Sequence, residues 1–187
     1  VTLNKANATV TANSSTVTYN GQTQSVSGFS VSGLVNNEAS SVLTGLSESG
    51  GSGINADSYS HRYAVGSYNG NYTLSFTDGS LTINKASLTI TANDATKTYD
   101  GLAYSGGNGV SYSGFVNSEN ASVLNGSLSY RGSSQGAVNV GSYSIKAAGL
   151  SSPNYAIQFV DGSLTVVAAT PVQQTTEVTK VIDSVVL

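Results

Sequence analysis

The sequence has no cysteine, methionine or tryptophan and a single histidine, and charged residues make up only 9% of it. The lack of cysteine excludes disulfides, thiol catalysis and thiolate metal sites. Seven Lys and Arg residues among 187, with a net charge of -3, cannot form the cationic face that nucleic acid requires. We therefore expect no nucleic-acid partner, and no apolar run approaches the roughly 20 residues of a membrane span.

Ser, Gly, Asn and Thr are abundant instead, around a hydrophobic fraction of 39%. That fraction is too high for a disordered Gly/Ser tract, and hydroxyl and amide groups supply the solubility. This composition fits a secreted bacterial protein, so we expect a location at the bacterial cell surface. Because residue 1 is Val, we expect a fragment or a chain that has lost its signal peptide.

An internal repeat of about 80 residues is the dominant feature of the sequence. Matching segments follow one another in the same order in both copies: Leu3-Asn4-Lys5-Ala6 and Ile83-Asn84-Lys85-Ala86; Thr18-Tyr19-Asn20-Gly21 and Thr98-Tyr99-Asp100-Gly101; Gly33-Leu34-Val35-Asn36-Asn37-Glu38 and Gly114-Phe115-Val116-Asn117-Ser118-Glu119; Asn71-Tyr72 and Asn154-Tyr155. We predict a first β-rich module at residues 1–84, a second at residues 85–169, and a C-terminal tail at residues 170–187. The short link between them favours end-to-end stacking.

Alternating apolar residues predict strands in the opening and closing segments of the modules, whereas copy one is more irregular between Ser47 and Gly70. At the end of each copy, Asp78-Gly79 and Asp161-Gly162 predict two-residue hairpin turns with positive φ. That register places Phe76 opposite Leu81 and Phe159 opposite Leu164. Further turns are predicted at Asn20-Gly21 and Asp100-Gly101, and a flexible loop at residues 50–53.

The segment from Asn117 to Leu124 lacks strand alternation and predicts a short helix with Asn117 as its N-cap. Each module is therefore expected to be mainly β with one short helical segment. This helix favours a β-grasp-like module, and an immunoglobulin-like sandwich is the alternative.

These segments resemble the YDG and MBG repeats of filamentous-haemagglutinin-like bacterial adhesins, which are exported by two-partner secretion. The residues that carry the resemblance are Lys97-Thr98-Tyr99-Asp100-Gly101, the segment from Gly114 to Leu124, Val140-Gly141-Ser142-Tyr143, and the stretch from Asn154 to Val166. The resemblance implies a β-rich repeat in the stalk of a large surface adhesin, whose partners are neighbouring repeats of the same protein. It is consistent with roles in cell adhesion and biofilms, and it names no ligand.

Two other functions remain open from the residues alone. Tyr59, Tyr63 and Tyr68 cluster in the more variable part of copy one and are candidates for contact with a glycan or another host ligand. A polysaccharide-acting enzyme module would need two carboxylates across a cleft. We expect no enzyme, because His61 is the only histidine, its counterpart is Ile145, and no nucleophile or phosphate-loop motif is present.

The Asx-Gly pairs are better explained as turns than as Ca²⁺ ligands, because clustered acidic residues are lacking. We therefore expect no metal and no cofactor. In the tail, an apolar stripe at helical spacing predicts packing against a partner, and three outcomes are open: docking on the second module, addition to a sheet edge of a neighbour, or contact with an outer-membrane secretion or anchoring partner. We expect an intermolecular contact. The stripe is formed by Val178, Val181, Ile182, Val185 and Val186.

Overall fold

The computed structural model describes residues 1–68 and 70–171, and β-strands dominate this part of the chain. The strands of module 1 are β1 (Ala6–Ala12), β2 (Ser15–Thr18), β3 (Gln24–Ser25), β4 (Phe29–Ser32), β5 (Leu46–Gly50), β6 (Ser52–Gly53), β7 (Ser58–Val65), β8 (Tyr72–Thr77) and β9 (Gly79–Asn84). Those of module 2 are β10 (Ala86–Ala92), β11 (Ala95–Thr98), β12 (Val110–Ser113), β13 (Asn125–Arg131), β14 (Gly141–Ser151), β15 (Tyr155–Val160) and β16 (Gly162–Val167). The predicted mainly β, two-module fold is confirmed.

Each module contains one three-stranded and one four-stranded sheet. In module 1 the orders are β4-β1-β8 and β2-β9-β7-β5, and in module 2 they are β12-β10-β15 and β11-β16-β14-β13. In each module the two N-terminal strands pair in parallel with the two C-terminal strands. These pairs are β1 with β8 and β2 with β9 in module 1, and β10 with β15 and β11 with β16 in module 2. Module 1 also has a two-stranded pair, β3 with β6. The repeat in the sequence is thus a repeat of topology.

The closing hairpin predicted for each copy is wrong. β8 pairs with β1, whereas β9 pairs with β2 and β7, so Phe76 lies beside Val10 and Leu81 beside Ser15 and Tyr59. Asp78 marks the corner where the chain passes from one sheet to the other, and Gly79 has no positive φ. Phe159 and Leu164 are separated in the same way in module 2, on β15 and β16.

The predicted helical segment is a single 3-10 turn in each module, Ser40–Val42 and Ala121–Val123. The capping residue in module 2 is Asn120, whose side chain accepts from the Ser122 N–H, and not Asn117, which has a left-handed φ of 50°. A single turn does not favour a β-grasp-like module over a sandwich. The predicted flexible loop at residues 50–53 is also wrong, because these residues include the end of β5 and all of β6.

The hydrophobic core lies between the two sheets of each module and continues across the boundary between them. In module 2, Ile145 and Leu164 of the four-stranded sheet pack with Ala92 and Phe159 of the three-stranded sheet. Among the described residues, no helix is long and apolar enough to cross a membrane. The apolar stripe predicted in the tail begins at Val178 and lies outside the described residues.

Candidate functional site: the junction between the modules

The two modules are joined with almost no linker. β9 ends at Asn84 and β10 begins at Ala86, so only Lys85 separates two strands that belong to different modules. The Lys85 Nζ donates a hydrogen bond to the Ser152 carbonyl at 3.1 Å. Backbone bonds flank this residue, from the Tyr19 N–H to the Asn84 carbonyl and from the Ala86 N–H to the Asn154 carbonyl. The chain therefore has no free segment about which the modules could swing.

A carboxylate of module 2 accepts hydrogen bonds from tyrosines of both modules. Tyr19, directly after β2, donates its hydroxyl to Glu119 Oε1 at 2.6 Å, and Tyr155, at the start of β15, donates to Oε2 at 2.5 Å. The two rings meet edge to face, with centroids 5.5 Å apart. Both oxygens of the carboxylate thus have a donor, as a charge away from bulk water requires.

The same contacts shift the acidity of both tyrosines. Burial, and then the hydrogen bond to Glu119 and its charge, raise the pKa of Tyr19 to about 12. Burial and Glu119 also raise the pKa of Tyr155. Both hydroxyls therefore remain donors at any physiological pH.

Amide side chains continue the contact around the rim of the junction. Asn154 accepts from the Ala56 N–H at 2.9 Å and donates to Asn55 Oδ1 at 3.0 Å. Asn117 donates to the Gly21 carbonyl at 3.0 Å. These bonds fix the rotation of one module relative to the other, because they lie at separate points around the buried tyrosine pair.

A single apolar cluster extends through the junction. Its buried members are Tyr19, Leu81 and Ile83 from module 1, together with Ala86, Leu88, Ile90 and Tyr155 from module 2. Neither module contains the whole cluster, so separating the modules would expose apolar surface to water. This exposure costs a free energy of about 25 cal/mol for each Å². The junction is thus a packed interface with specific polar contacts.

Comparison with known proteins agrees with the repeated topology. A family model described as MBG domain (YGX type) matches residues 8–82 and, a second time, residues 88–165. The chain belongs to the MBG domain family. No curated protein and no solved structure matches it. The family is one of extracellular repeat domains of surface proteins, and the predicted tandem of YDG/MBG-type repeats is confirmed.

The first MBG module contains a contact between a buried histidine and an exposed glutamate that the second lacks. His61 on β7 is fully buried; its Nδ1 lies 2.7 Å from the Asn13 carbonyl oxygen and its Nε2 lies 2.7 Å from Glu48 Oε1. Hydrogen bonding to Asn13, and then to Glu48, raises the pKa of His61 against the opposing effect of burial. Hydrogen bonding to His61 lowers the pKa of Glu48. Strand pairing places Ile145 of the second module at the position of His61.

The three tyrosines proposed as ligand contacts are divided between two parts of the core. Tyr59 packs into the junction cluster and donates to the Asn55 carbonyl at 3.0 Å. Tyr63 packs on Phe29 and Tyr68 on the cluster beneath β1 and β8. All three are half-buried, and their contact with a glycan or another ligand stays a prediction. Among the described residues, no three His, Cys, Asp or Glu side chains lie close enough together to hold a metal ion.

The predicted turn residues fall into two groups with different geometry. At Asn20-Gly21 and Asp100-Gly101, the Asx side chain accepts from the N–H two residues later and the glycine has a positive φ, as in an Asx turn. In module 2 the Lys97 ammonium lowers the pKa of the Asp100 carboxyl. Asp78 and Asp161 stand instead at the corners between sheets, where they pair with Arg62 at 2.8 Å and Lys146 at 3.2 Å.

Sequence reasoning did not identify the polar residues that hold the MBG modules together, Glu119, Asn117 and Asn154. A signal was nevertheless present, because each has a counterpart of the same type in module 1, at Glu38, Asn36 and Asn71. A recurring acidic residue in a chain with few charges indicates a structural contact that each repeat needs.

Proposed function

We propose that the chain is a stalk segment of a large secreted bacterial surface adhesin, in which paired MBG modules form a stiff spacer extending from the cell. This role requires no catalytic residues, and the partners of the chain are neighbouring repeats of the same protein. The observation that supports it best is the junction, where Tyr19 of one module binds Glu119 of the next across a shared apolar cluster. A spacer needs such an interface, because a flexible hinge between modules would shorten its average end-to-end distance.

The contacts that repeat in both modules are all structural, which also favours a stalk over a ligand-binding module. Within each module a tyrosine hydroxyl accepts a hydrogen bond from a backbone N–H and donates one to a glutamate. The pairs are Tyr72 with Glu38 and Tyr155 with Glu119. A lectin would instead need aromatic and polar groups converging on an open concave site, and Tyr59 and Tyr63 pack into separate clusters.

The stiffness of the junction can be measured with spin labels, since the chain has no native cysteine. We would place cysteines at Ser41 and Asn139, both exposed and in different modules. Double electron–electron resonance should give one narrow distance distribution. Insertion of a Gly/Ser segment after Lys85 should broaden it, because the flexible chain then sets the distance. A broad distribution in the chain without the insertion would show a hinge and refute the spacer.

A further inference from the structure

The part of module 2 that receives Tyr19 is built a second time, at the far end of module 1. There the Val35 N–H donates to the Tyr72 hydroxyl at 3.0 Å, and this hydroxyl donates to Glu38 Oε2. The Val116 N–H, Tyr155 and Glu119 make the same arrangement in module 2, again with 3.0 Å between nitrogen and hydroxyl. We call the group formed by Glu38, Tyr72 and Val35 the receptor triad.

The receptor triad of module 1 stands beside an open cavity. The cavity has a volume of about 450 Å³, and Asn36, Asn71, Lys5 and Leu3 line it together with the triad. Glu38 and Val35 are exposed, whereas their counterparts Glu119 and Val116 are half-buried under module 1. Among the described residues, Glu38 accepts a hydrogen bond from Tyr72 alone, while Glu119 accepts from two tyrosines. The acceptor that Tyr19 uses in module 2 is therefore vacant in module 1.

The inserting half of the contact is also present twice. Tyr99 occupies in module 2 the place of Tyr19, since Thr98 ends β11 as Thr18 ends β2. Tyr19 is 5% exposed and Tyr99 is 42% exposed. Leu102 is the counterpart of Gln22 and is 67% exposed, and Val140 is the counterpart of Ala56 and is 57% exposed. The chain thus carries one closed junction and the two complementary halves of another.

The sequence of Val1 to Ala6 indicates which kind of partner would cover the receptor triad. Their sequence, Val-Thr-Leu-Asn-Lys-Ala, parallels Leu81 to Ala86, which read Leu-Thr-Ile-Asn-Lys-Ala and include the end of the closing strand β9. In β9, Ile83 pairs with Val17 of β2 and is 2% exposed, whereas Leu3 is 90% exposed. Val1–Asn4 therefore have the residues of a closing strand but, among the described residues, no parallel partner equivalent to β2.

We propose that the receptor triad of module 1 binds the Tyr-Asx-Gly turn of a further MBG module whose closing strand is continuous with Val1–Asn4. The tyrosine of that turn donates to Glu38 Oε1, as Tyr19 does to Glu119. A second copy of this chain fits less well as the occupant. Docked through Tyr99, it would bring its own closing strand β16 to the place where Val1–Asn4 must lie. The inference rests on the proposed stalk function and names the partner that continues it.

A three-module protein tests the inference directly. It consists of residues 1–84 followed immediately by residues 5–187, so that an added first module leads into Lys5 through its own Asn84. Tyrosines would carry ¹³C at Cζ, with signals assigned by Tyr→Phe variants and read by NMR. At pH 11, a tyrosine with an ordinary pKa of about 10 is roughly nine-tenths ionised. Tyr19 of the original junction, whose pKa is raised to about 12, is the internal reference.

Tyr19 of the added module should stay protonated at pH 11 like the reference, and Glu38→Gln should increase its ionised fraction. Glu38→Gln keeps an acceptor for Tyr72, and Tyr99→Phe at the free end serves as the matched control without effect. If the added Tyr19 ionises while the reference does not, the inference is wrong and the spacer stands. If both ionise, the inference loses its template, the contact between Tyr19 and Glu119, while the spin-label distances decide whether the spacer stands.

A sedimentation experiment on the unmodified chain decides between the two occupants. The chain should remain unassociated through this surface at all concentrations. Concentration-dependent association that Tyr99→Phe or Glu38→Gln weakens by tenfold or more would make a second copy the occupant, and would overturn the assignment to a continuous chain.

Discussion

At the scale of single residues, the buried His61 in the first MBG module departs most from the repeat pattern. Both of its ring nitrogens face acceptors, the Asn13 carbonyl and the Glu48 carboxylate, each at 2.7 Å. A neutral imidazole has only one N–H, so both nitrogens can donate only when the ring is protonated, the state that the raised pKa of His61 favours. The module thus holds a charge pair where module 2 holds Ile145 and Tyr130.

The pair predicts a pH dependence of stability. The pKa of His61 is raised in the folded protein above its ordinary 6.5, so its stabilisation is complete below about pH 6.5 and is lost as pH rises through the raised value. Urea unfolding from pH 6 to 9 should show the free energy of unfolding falling with pH, and His61→Ile should remove this fall. Because the Asn13 carbonyl is the largest cause of the shift, Glu48→Gln should remove only part of it.

Ile145→Val is the matched control, since it alters the equivalent position of module 2 without touching a titrating group. It should lower the free energy of unfolding by about 0.5–1.5 kcal/mol at every pH. A pH dependence that persists unchanged in His61→Ile would show that another group causes it.

At the scale of elements, the glycine after each corner aspartate serves close packing and not a turn. A Cβ at Gly79 would lie 2.3 Å from the Asn13 carbonyl oxygen and 2.5 Å from that of Ala12. Gly162 has the same neighbours in module 2, with 2.4 Å to the Ala92 oxygen. The absence of a side chain therefore allows β9 and β16 to cross closely over the end of the first strand of their module.

Gly79→Ala should consequently be destabilising, although a type I′ hairpin is not formed there. We expect a loss of about 1–3 kcal/mol, since two backbone carbonyls would have to move. Gly66→Ala is the control, because a Cβ there meets nothing within 4 Å, and it should change stability by less than about 0.5 kcal/mol. Equal effects in chemical denaturation would argue against the close contact.

The elements also show what the sequence could predict. Repetition was enough for the two modules and period-two alternation for the strands at their ends, whereas the end of β5 and all of β6 were predicted as a loop. Pairing was not predictable from the same signals, since β8 and β9 alternate as a hairpin would but lie parallel to β1 and β2, more than 50 residues earlier in the chain. β7 lies between Ser47 and Gly70, where His61 occupies an inward position between Tyr59 and Tyr63 and interrupts the apolar alternation. The contacts of Glu119 depend on a partner 100 residues distant.

At the scale of the whole molecule, stability and shape depend on the same interface. A module of about 80 residues buries only about 60% of the surface of its unfolded chain and is marginal alone. The junction adds a buried tyrosine pair and three apolar residues of β10 to the core of β9. Each MBG module is thus stabilised by its neighbour, and the contact that stabilises it also fixes the orientation of one module relative to the other.

This coupling predicts that one hydroxyl in the junction matters more than its counterpart at the free end. Tyr19→Phe keeps the ring but leaves Glu119 Oε1 without its donor, so it should lower the free energy of unfolding by about 1–3 kcal/mol. Tyr99→Phe makes the same chemical change on a ring that is 42% exposed, and should cost less than about 0.5 kcal/mol. Combining Tyr19→Phe with Glu119→Gln should cost less than the sum of the single changes, because both remove one interaction. Additive losses in this cycle, or equal losses from Tyr19 and Tyr99, would mean that the modules fold independently and only happen to lie end to end.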